Sequence, residues 1–222
     1  MENKVYVRPR FRKLANNEFM KFWYSLRDAR SINEHGNFVL LRDTEVYEDA
    51  QTFLIGDGVA GFAIKDEEMI SVHKNNKKAQ KCGVQHILPK MVRCAFKHGA
   101  KYGDCYGEWL ANYYMKSGFI VIGKVEFDSM DNNPITWEYD KFGKPFIYIM
   151  MRGVRNVAEL DKLKQENALS GFDAVKDNLP LLKSYEEAEE YRSKLYNKVA
   201  NYGYKKRLAF VQAVNSNLKT GA

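Results

Sequence analysis

Gly99-Ala-Lys-Tyr-Gly-Asp-Cys-Tyr-Gly-Glu-Trp-Leu-Ala-Asn-Tyr-Tyr-Met-Lys-Ser-Gly-Phe119 is the stretch on which the reading of this chain turns. Upstream of it, Ile87, Leu88, Met91, Val92, Ala95 and Phe96 recur at helical spacing and stop at Gly99, where a glycine can take the left-handed conformation that closes a helix. Inside it, a short segment carrying Asp104 is followed by a second helix, with Trp109, Leu110, Tyr113 and Tyr114 as its apolar positions and Gly118 as its end. Downstream, Phe119 to Phe127 alternates as a strand does. A polar loop and a further strand, Pro145 to Met151, come next.

Working back toward the N-terminus, Phe53 to Ile55 and Val59 to Ile64 flank Gly56-Asp-Gly58 and read as a hairpin with a glycine turn. Asp66-Glu67-Glu68 makes another turn into Met69 to His73, giving three consecutive antiparallel strands. Before them, Lys4 to Arg8 suits a first strand ended by Pro9. Asn16-Asn17-Glu18 caps a helix with Phe19, Phe22, Trp23 and Leu26 on its apolar side, fading near Ile32. Phe38 to Leu41 is expected as a short strand and Thr44 to Ala50 as a short helix.

Lys74-Asn-Asn-Lys-Lys-Ala-Gln-Lys-Cys-Gly83 is basic, ends in glycine and runs toward the helix that begins near Ile87. The first backbone N–H groups of a helix lack internal partners and the helix dipole favours negative charge there. A phosphate group therefore suits the segment, with Lys77, Lys78 and Lys81 able to meet its oxygens, although a solvated turn has the same composition.

The order helix, short strand, helix, long strand, loop, strand resembles the C-terminal half of the Gcn5-related N-acetyltransferase superfamily. Tyr114-Met-Lys-Ser-Gly-Phe119 is similar to that family's Tyr-x-x-x-Gly-Phe segment, and Gln80-Lys-Cys-Gly83-Val-Gln85 to its pyrophosphate loop, from which Gln85 departs because the family has glycine or alanine there. Asp104-Cys105-Tyr106-Gly107 and Trp137…Gly143-Lys144-Pro145 resemble words found in acetyltransferase-like proteins encoded by bacteriophages. The resemblance covers residues 50 to 152 well and residues 4 to 50 loosely.

It implies an α/β (α+β) fold of the acyl-CoA N-acyltransferase type, with a mixed, mostly antiparallel central sheet flanked by helices over residues 1–152, and a C-terminal helical appendage over 153–222. It further implies acetyl-CoA as the acyl donor. Backbone of the fourth strand (Ile70, Val72) and the segment Lys78, Gln80, Lys81, Cys82, Gly83, Val84 and Gln85 would hold it, the pantetheine entering where the fourth strand splays from the fifth.

Acetyl transfer from a thioester to an amine needs a fixed thioester, a neutral amine and a proton for the departing thiolate. By the resemblance Tyr114 supplies that proton. Asp104 is the first candidate for general base, ahead of Glu68 and His73, though it also suits a helix cap. Trp137 and Tyr139 would line the acceptor pocket or pack. The acceptor is an amine of a protein, a nucleic acid or a small molecule. The alternative is a phage accessory protein that keeps the fold as a binding or structural module without catalysis.

The 222 residues carry a formal net charge of +7 and 14% aromatic side chains. That charge allows an anionic partner, nucleic acid or CoA, and equally serves solubility. Three cysteines without repeated spacing make neither a disulfide framework nor a metal-site signature, which points to a reducing cytosol, a bacterial host's if the chain is phage-encoded. No signal peptide and no bilayer-spanning apolar run is expected.

After Arg152, Asn156 to Asn167 and Ser184 to Ala200 read as helices, with Ser184 and Glu187 as a capping box. Ser170 to Asn178 is rich in turn residues, and Leu208 to Val214 reads as a last apolar turn or strand before a polar tail. Tyr202, Tyr204, Lys205, Lys206 and Arg207 have the composition of a nucleic-acid-stacking edge or a protein contact, and equally that of a solvated edge.

Overall fold

The computed structural model describes residues 10–127 and 137–220, with side chains through residue 218. The expected strand from Lys4 to Arg8 and the loop at 128–136 lie outside the described residues. The fold is α/β, with mostly antiparallel strands, flanking helices and C-terminal helices. It divides between Ile87 and Leu88 into two compact units.

In the first unit, β1 (Arg12–Lys13), β2 (Gln51–Ile55), β3 (Ala60–Lys65) and β4 (Glu68–Lys74) pair antiparallel in that order. α1 (Phe19–Ile32) follows a 3-10 turn at Asn16–Glu18. The Glu18 carboxylate accepts from Ala15 N and from Lys21 and Arg12, which hold its pKa down to about 2. Phe22, Leu26 and Ala29, spaced three or four apart, bury one stripe of α1. Phe22 and Leu26 pack with Leu54 and Ala63 on one face of the sheet and with Tyr47 from α2 (Glu45–Glu48). Each large side chain buried there stabilises the unit by about 1.5–3 kcal/mol.

The opposite face carries Phe53 stacked on its cross-strand partner Phe62 at 4.7 Å. The strand expected at Phe38 to Leu41 is not formed, and a 3-10 turn occupies Gly36–Phe38. α3 (Asn76–Lys81) ends the unit's regular structure.

The second unit begins with α4 (Leu88–Lys97), β5 (Tyr102–Tyr106), α5 (Glu108–Met115) and β6 (Phe119–Val125). α6 (Tyr139–Phe142), β7 (Ile147–Arg152) and α7 (Val157–Gln165) follow, then 3-10 turns at Phe172–Ala174 and Lys176–Asn178, β8 (Leu181–Leu182), α8 (Tyr185–Val199) and α9 (Tyr204–Thr220). Strand order is β5-β7-β6-β8, antiparallel except for the parallel β6–β8 pair.

The expected break at residue 152 has no counterpart in the division into units. β8 joins the same sheet as β6, α8 packs on β6 and β7, and Asn215 of α9 donates to the Ile122 carbonyl at 3.1 Å. The last apolar turn expected from Leu208 is instead part of α9, a helix that continues through the polar tail. Ser184 caps α8 as its spacing implies, while the Glu187 carboxylate reaches back to Lys183 N rather than to Ser184 N.

Gly118 closes α5 with φ +114° and its carbonyl accepts from Gly153 N at 2.9 Å. A Cβ at Gly118 would stand 2.6 Å from Leu160 Cδ1. Gly118→Ala is expected to destabilise the chain by about 2 kcal/mol through backbone strain and overpacking. Urea unfolding followed by circular dichroism measures it, and an unchanged midpoint would refute this account of the turn.

Candidate functional site

The hairpin and third strand of the first unit carry an irregularity that the sequence conceals. Gly61 pairs with His73 and Ala63 with Ile70, so β4 holds an extra residue opposite Phe62. Such a bulge leaves the extra residue unpaired and bends the strand. Ser71, at the bulge, has φ +53°, in the left-handed region that non-glycine residues seldom occupy.

Around it runs a chain of buried hydrogen bonds. Tyr47 Oη meets Ser71 Oγ at 2.7 Å, the Ser71 carbonyl meets His73 Nδ1 at 3.1 Å, and His73 Nε2 meets Ser25 Oγ at 2.9 Å. The Gly58 carbonyl, 3.2 Å from Ser25 Oγ, is the alternative acceptor for that hydroxyl's one proton. Burial pulls the pKa of His73 down to about 4, with the Lys78 charge acting the same way and the Ser71 carbonyl opposing both. The ring is therefore neutral near pH 7. With its Nδ1–H donating to Ser71, its Nε2 accepts from Ser25. Tyr47, Ser25 and Ser71 carry no local sequence signal for this arrangement. Ile70 and Val72 are half-buried beside it.

The basic segment after β4 differs from its expected form. Asn75 caps α3 by accepting from Lys78 N at 2.9 Å. Lys77, Lys78, Gln80 and Lys81 are thus helical, and Lys78 Nζ donates to the Asp57 carbonyl at 2.8 Å. Gly83, with φ +64°, terminates α3 rather than opening α4, whose first residue is Leu88. The amides of Cys82, Gly83 and Val84 donate to the carbonyls of Lys78, Gln80 and Ala79. These are the bonds of a helix C-cap, so those three amides are not a seat for a diphosphate. The exposed Gln85 and His86 follow. Their amides meet no acceptor among the described residues, and His86 has φ +48°.

In the second unit, strand alternation sorts the expected catalytic residues. A Cβ at Gly103 would lie 3.6 Å from the Phe119 ring, and Phe119 packs on Phe96 of α4 and Tyr114 of α5, with ring centroids 4.8 Å and 5.6 Å apart. Cys105 and its cross-strand partner Tyr148 share that face. Tyr102 and Asp104 take the other face. Tyr102 meets Tyr196 and the Arg192 guanidinium of α8, and Asp104 accepts the Tyr185 hydroxyl. Tyr114 and Asp104 are therefore separated by the sheet. Their residue types were legible, whereas their facing depends on strand parity.

Tyr114 is buried, with its ring edge-on to Phe119. Burial, then Cys105 and Asp104, push its pKa well above the ordinary phenol value. Burial raises the Cys105 thiol likewise, with Asp104 adding to it. Tyr148 donates to the Glu108 carboxylate at 3.4 Å, and burial followed by that carboxylate raises its pKa.

Trp137 is a packing residue in this structure. It is buried among Tyr106, Phe127 and Phe142, and its indole N–H donates to the Gly143 carbonyl at 2.8 Å. Tyr139 is half-exposed. Trp109 and Tyr113, expected on the apolar side of α5, point outward, and Ala111, Tyr114 and Met115 fill its inner face. Tyr204 and Arg207, expected on a basic stacking edge, are buried.

Comparison with known protein families finds no match, and comparison with curated proteins finds no relative. Among the described residues no group of His, Cys, Asp and Glu is arranged to hold a metal ion, and no helix is long and apolar enough to cross a membrane.

Proposed function

We propose that this chain is an acetyl-CoA-dependent N-acetyltransferase of the acyl-CoA N-acyltransferase fold type, acting on an amine acceptor. The observation that carries the reading is Tyr114: a phenol whose ring is buried against Phe119 and whose hydroxyl is held protonated. A phenol kept protonated suits a proton donor to a departing thiolate, and Tyr114 stands in the segment that resembles the family's thiolate-facing tyrosine.

The bulge in β4 agrees with the same reading, since it breaks the regular pairing of the strand at Ser71–Val72, where the resemblance puts the donor's backbone contacts. The amides of Gln85 and His86, beside Lys81, replace those of Cys82 to Val84 as the groups able to meet phosphate oxygens. When bound, acetyl-CoA supplies an acyl group on a thioester. Tyr114 then donates a hydrogen bond, and finally its proton, at the sulfur. Asp104 is spent on Tyr185 on the opposite face, and Glu108, which accepts from Tyr148, joins Glu68 as a candidate base.

The second reading, a phage-type accessory module without catalysis, is favoured by the same Tyr185–Asp104 bond and by the internally satisfied amides at 82–84. Calorimetry of acetyl-CoA against the full chain, with thiol release measured over a panel of amines, separates the two. Heat of binding and thiol release are expected, and Tyr114→Phe is expected to slow release about 10- to 100-fold with donor affinity unchanged. Silence at millimolar acetyl-CoA sinks the enzyme reading and leaves the module.

A further inference from the structure

We propose that the buried relay Tyr47–Ser71–His73–Ser25 sets the geometry of the β4 bulge, making His73 a positioning residue for the strand backbone that meets the acyl donor. The inference rests on the acetyltransferase reading. Ser71 sits at φ +53°, a conformation that a non-glycine residue keeps only where its surroundings over-determine it. Those surroundings are identifiable. The Ser71 side chain is held by Tyr47 Oη at 2.7 Å and its carbonyl by His73 Nδ1 at 3.1 Å.

The imidazole is the hinge of the relay, because its second nitrogen accepts from Ser25 and so fixes the ring to α1. Space around the ring is tight. It packs edge-on against Phe22 at 5.2 Å, and a Cβ on Gly61 would lie 2.7 Å from its Cε1. One ring thus ties the bulge to the helix that covers the sheet.

Without the ring, the Ser71 carbonyl loses its partner and the left-handed residue loses its restraint. A bulge that relaxes must pass its extra residue along the strand, and a one-residue slip turns every affected side chain to the other face. Met69 and Ile70 lie on the segment that would turn, and Ile70 to Val72 is the backbone assigned to the donor. His73 itself, fully buried, touches no ligand. Its effect passes through Ser71.

The test uses the full chain with acetyl-CoA as probe, in calorimetry and steady-state kinetics. His73→Gln keeps reach toward Ser25 and loses Ser71, whereas His73→Asn places an amide N–H where Nδ1–H was. His73→Gln is expected to weaken acetyl-CoA binding and raise its KM at least tenfold, with kcat and the amine KM changed less than twofold. His73→Asn is expected to restore most of the affinity. Leu26→Val, a core change in α1 outside the relay, controls for lost stability and should leave the KM for acetyl-CoA unchanged. Should His73→Gln fail to fold, Ser25→Ala replaces it, with a smaller rise in the same constant.

Wild-type binding with equal binding by His73→Gln overturns the positioning role alone. So does a parallel fall in kcat with no change in KM, or a Leu26→Val variant that loses affinity equally. An absence of heat with the wild-type chain overturns the acetyltransferase reading, and the inference falls with it.

Discussion

Arg207→Ala is expected to lower the stability of the 88–222 unit by about 3–5 kcal/mol, a fall of roughly 10 °C in its melting temperature. Arg207 is fully buried on α9, where its guanidinium donates to the Arg152 carbonyl at 2.5 Å and to the Ala200 carbonyl at 2.7 Å. It lies 5.4 Å from the Tyr196 ring centroid, and its Nε meets no hydrogen-bond partner among the described residues. Burial lowers its pKa, with Tyr196 the chief opposing influence. The Glu159 carboxylate is committed to the amides of Arg155 and Tyr204.

Truncation therefore strands two carbonyls and opens a large cavity together, and each loss alone is costly. Arg207→Met fills most of the volume without donating and should fall between the alanine variant and the wild type. Thermal unfolding followed by far-ultraviolet circular dichroism reads both. A shift below about 3 °C for Arg207→Ala, accompanied by loss of affinity for single-stranded nucleic acid, would reinstate the stacking edge that the composition of residues 202–207 suggests.

Acidification is expected to cost the first unit roughly 3 kcal/mol between pH 6.5 and pH 4, through His73 alone. The folded chain holds the pKa of His73 at about 4, against 6.5 for the unperturbed ring. Between those values the unfolded chain binds the proton and the folded chain does not, so stability rises with pH. The contribution is complete above pH 6.5 and disappears as pH falls through 4. Trp23 is the one tryptophan before residue 109, so in a Trp109→Phe, Trp137→Phe background its fluorescence follows this unit during urea titrations at each pH. His73→Gln should flatten the dependence across that window. An equally steep profile in that variant would assign the acid sensitivity to the carboxylates.

Residues that act through local geometry were readable. Gly99 and Gly118 punctuate α4 and α5, Ser184 caps α8, and the glycine turn at 56–58 joins β2 to β3 as the alternation around it implies. Gly83 shows where local reading divides. A basic run ending in glycine before an apolar pattern describes both the end of one helix and the approach to another. Asn75, three residues ahead of Lys78, was the signal that a helix had already begun.

Asp104 shows a second limit. Its residue type suits a base, but one step of strand parity decides that it faces Tyr185 and not Tyr114. The relay through His73 lay beyond sequence reasoning altogether. Ser25 and His73 are 48 positions apart, and neither has a local pattern that points to the other. Trp109 and Tyr113 were misassigned because large aromatic rings at helical spacing resemble a core stripe, while small Ala111 is what fits beneath α5.

The bond from Asn215 to the Ile122 carbonyl, 93 positions apart, bears on how the chain is made. During synthesis the 88–222 sheet waits for nearly its whole length to leave the ribosome before β8, α8 and α9 can cover it. Strands β1 to β4 have one another as partners by Lys74. Vectorial synthesis therefore favours the N-terminal unit, and the second passes through an interval with apolar β6 uncovered, when chaperone capture competes with closure.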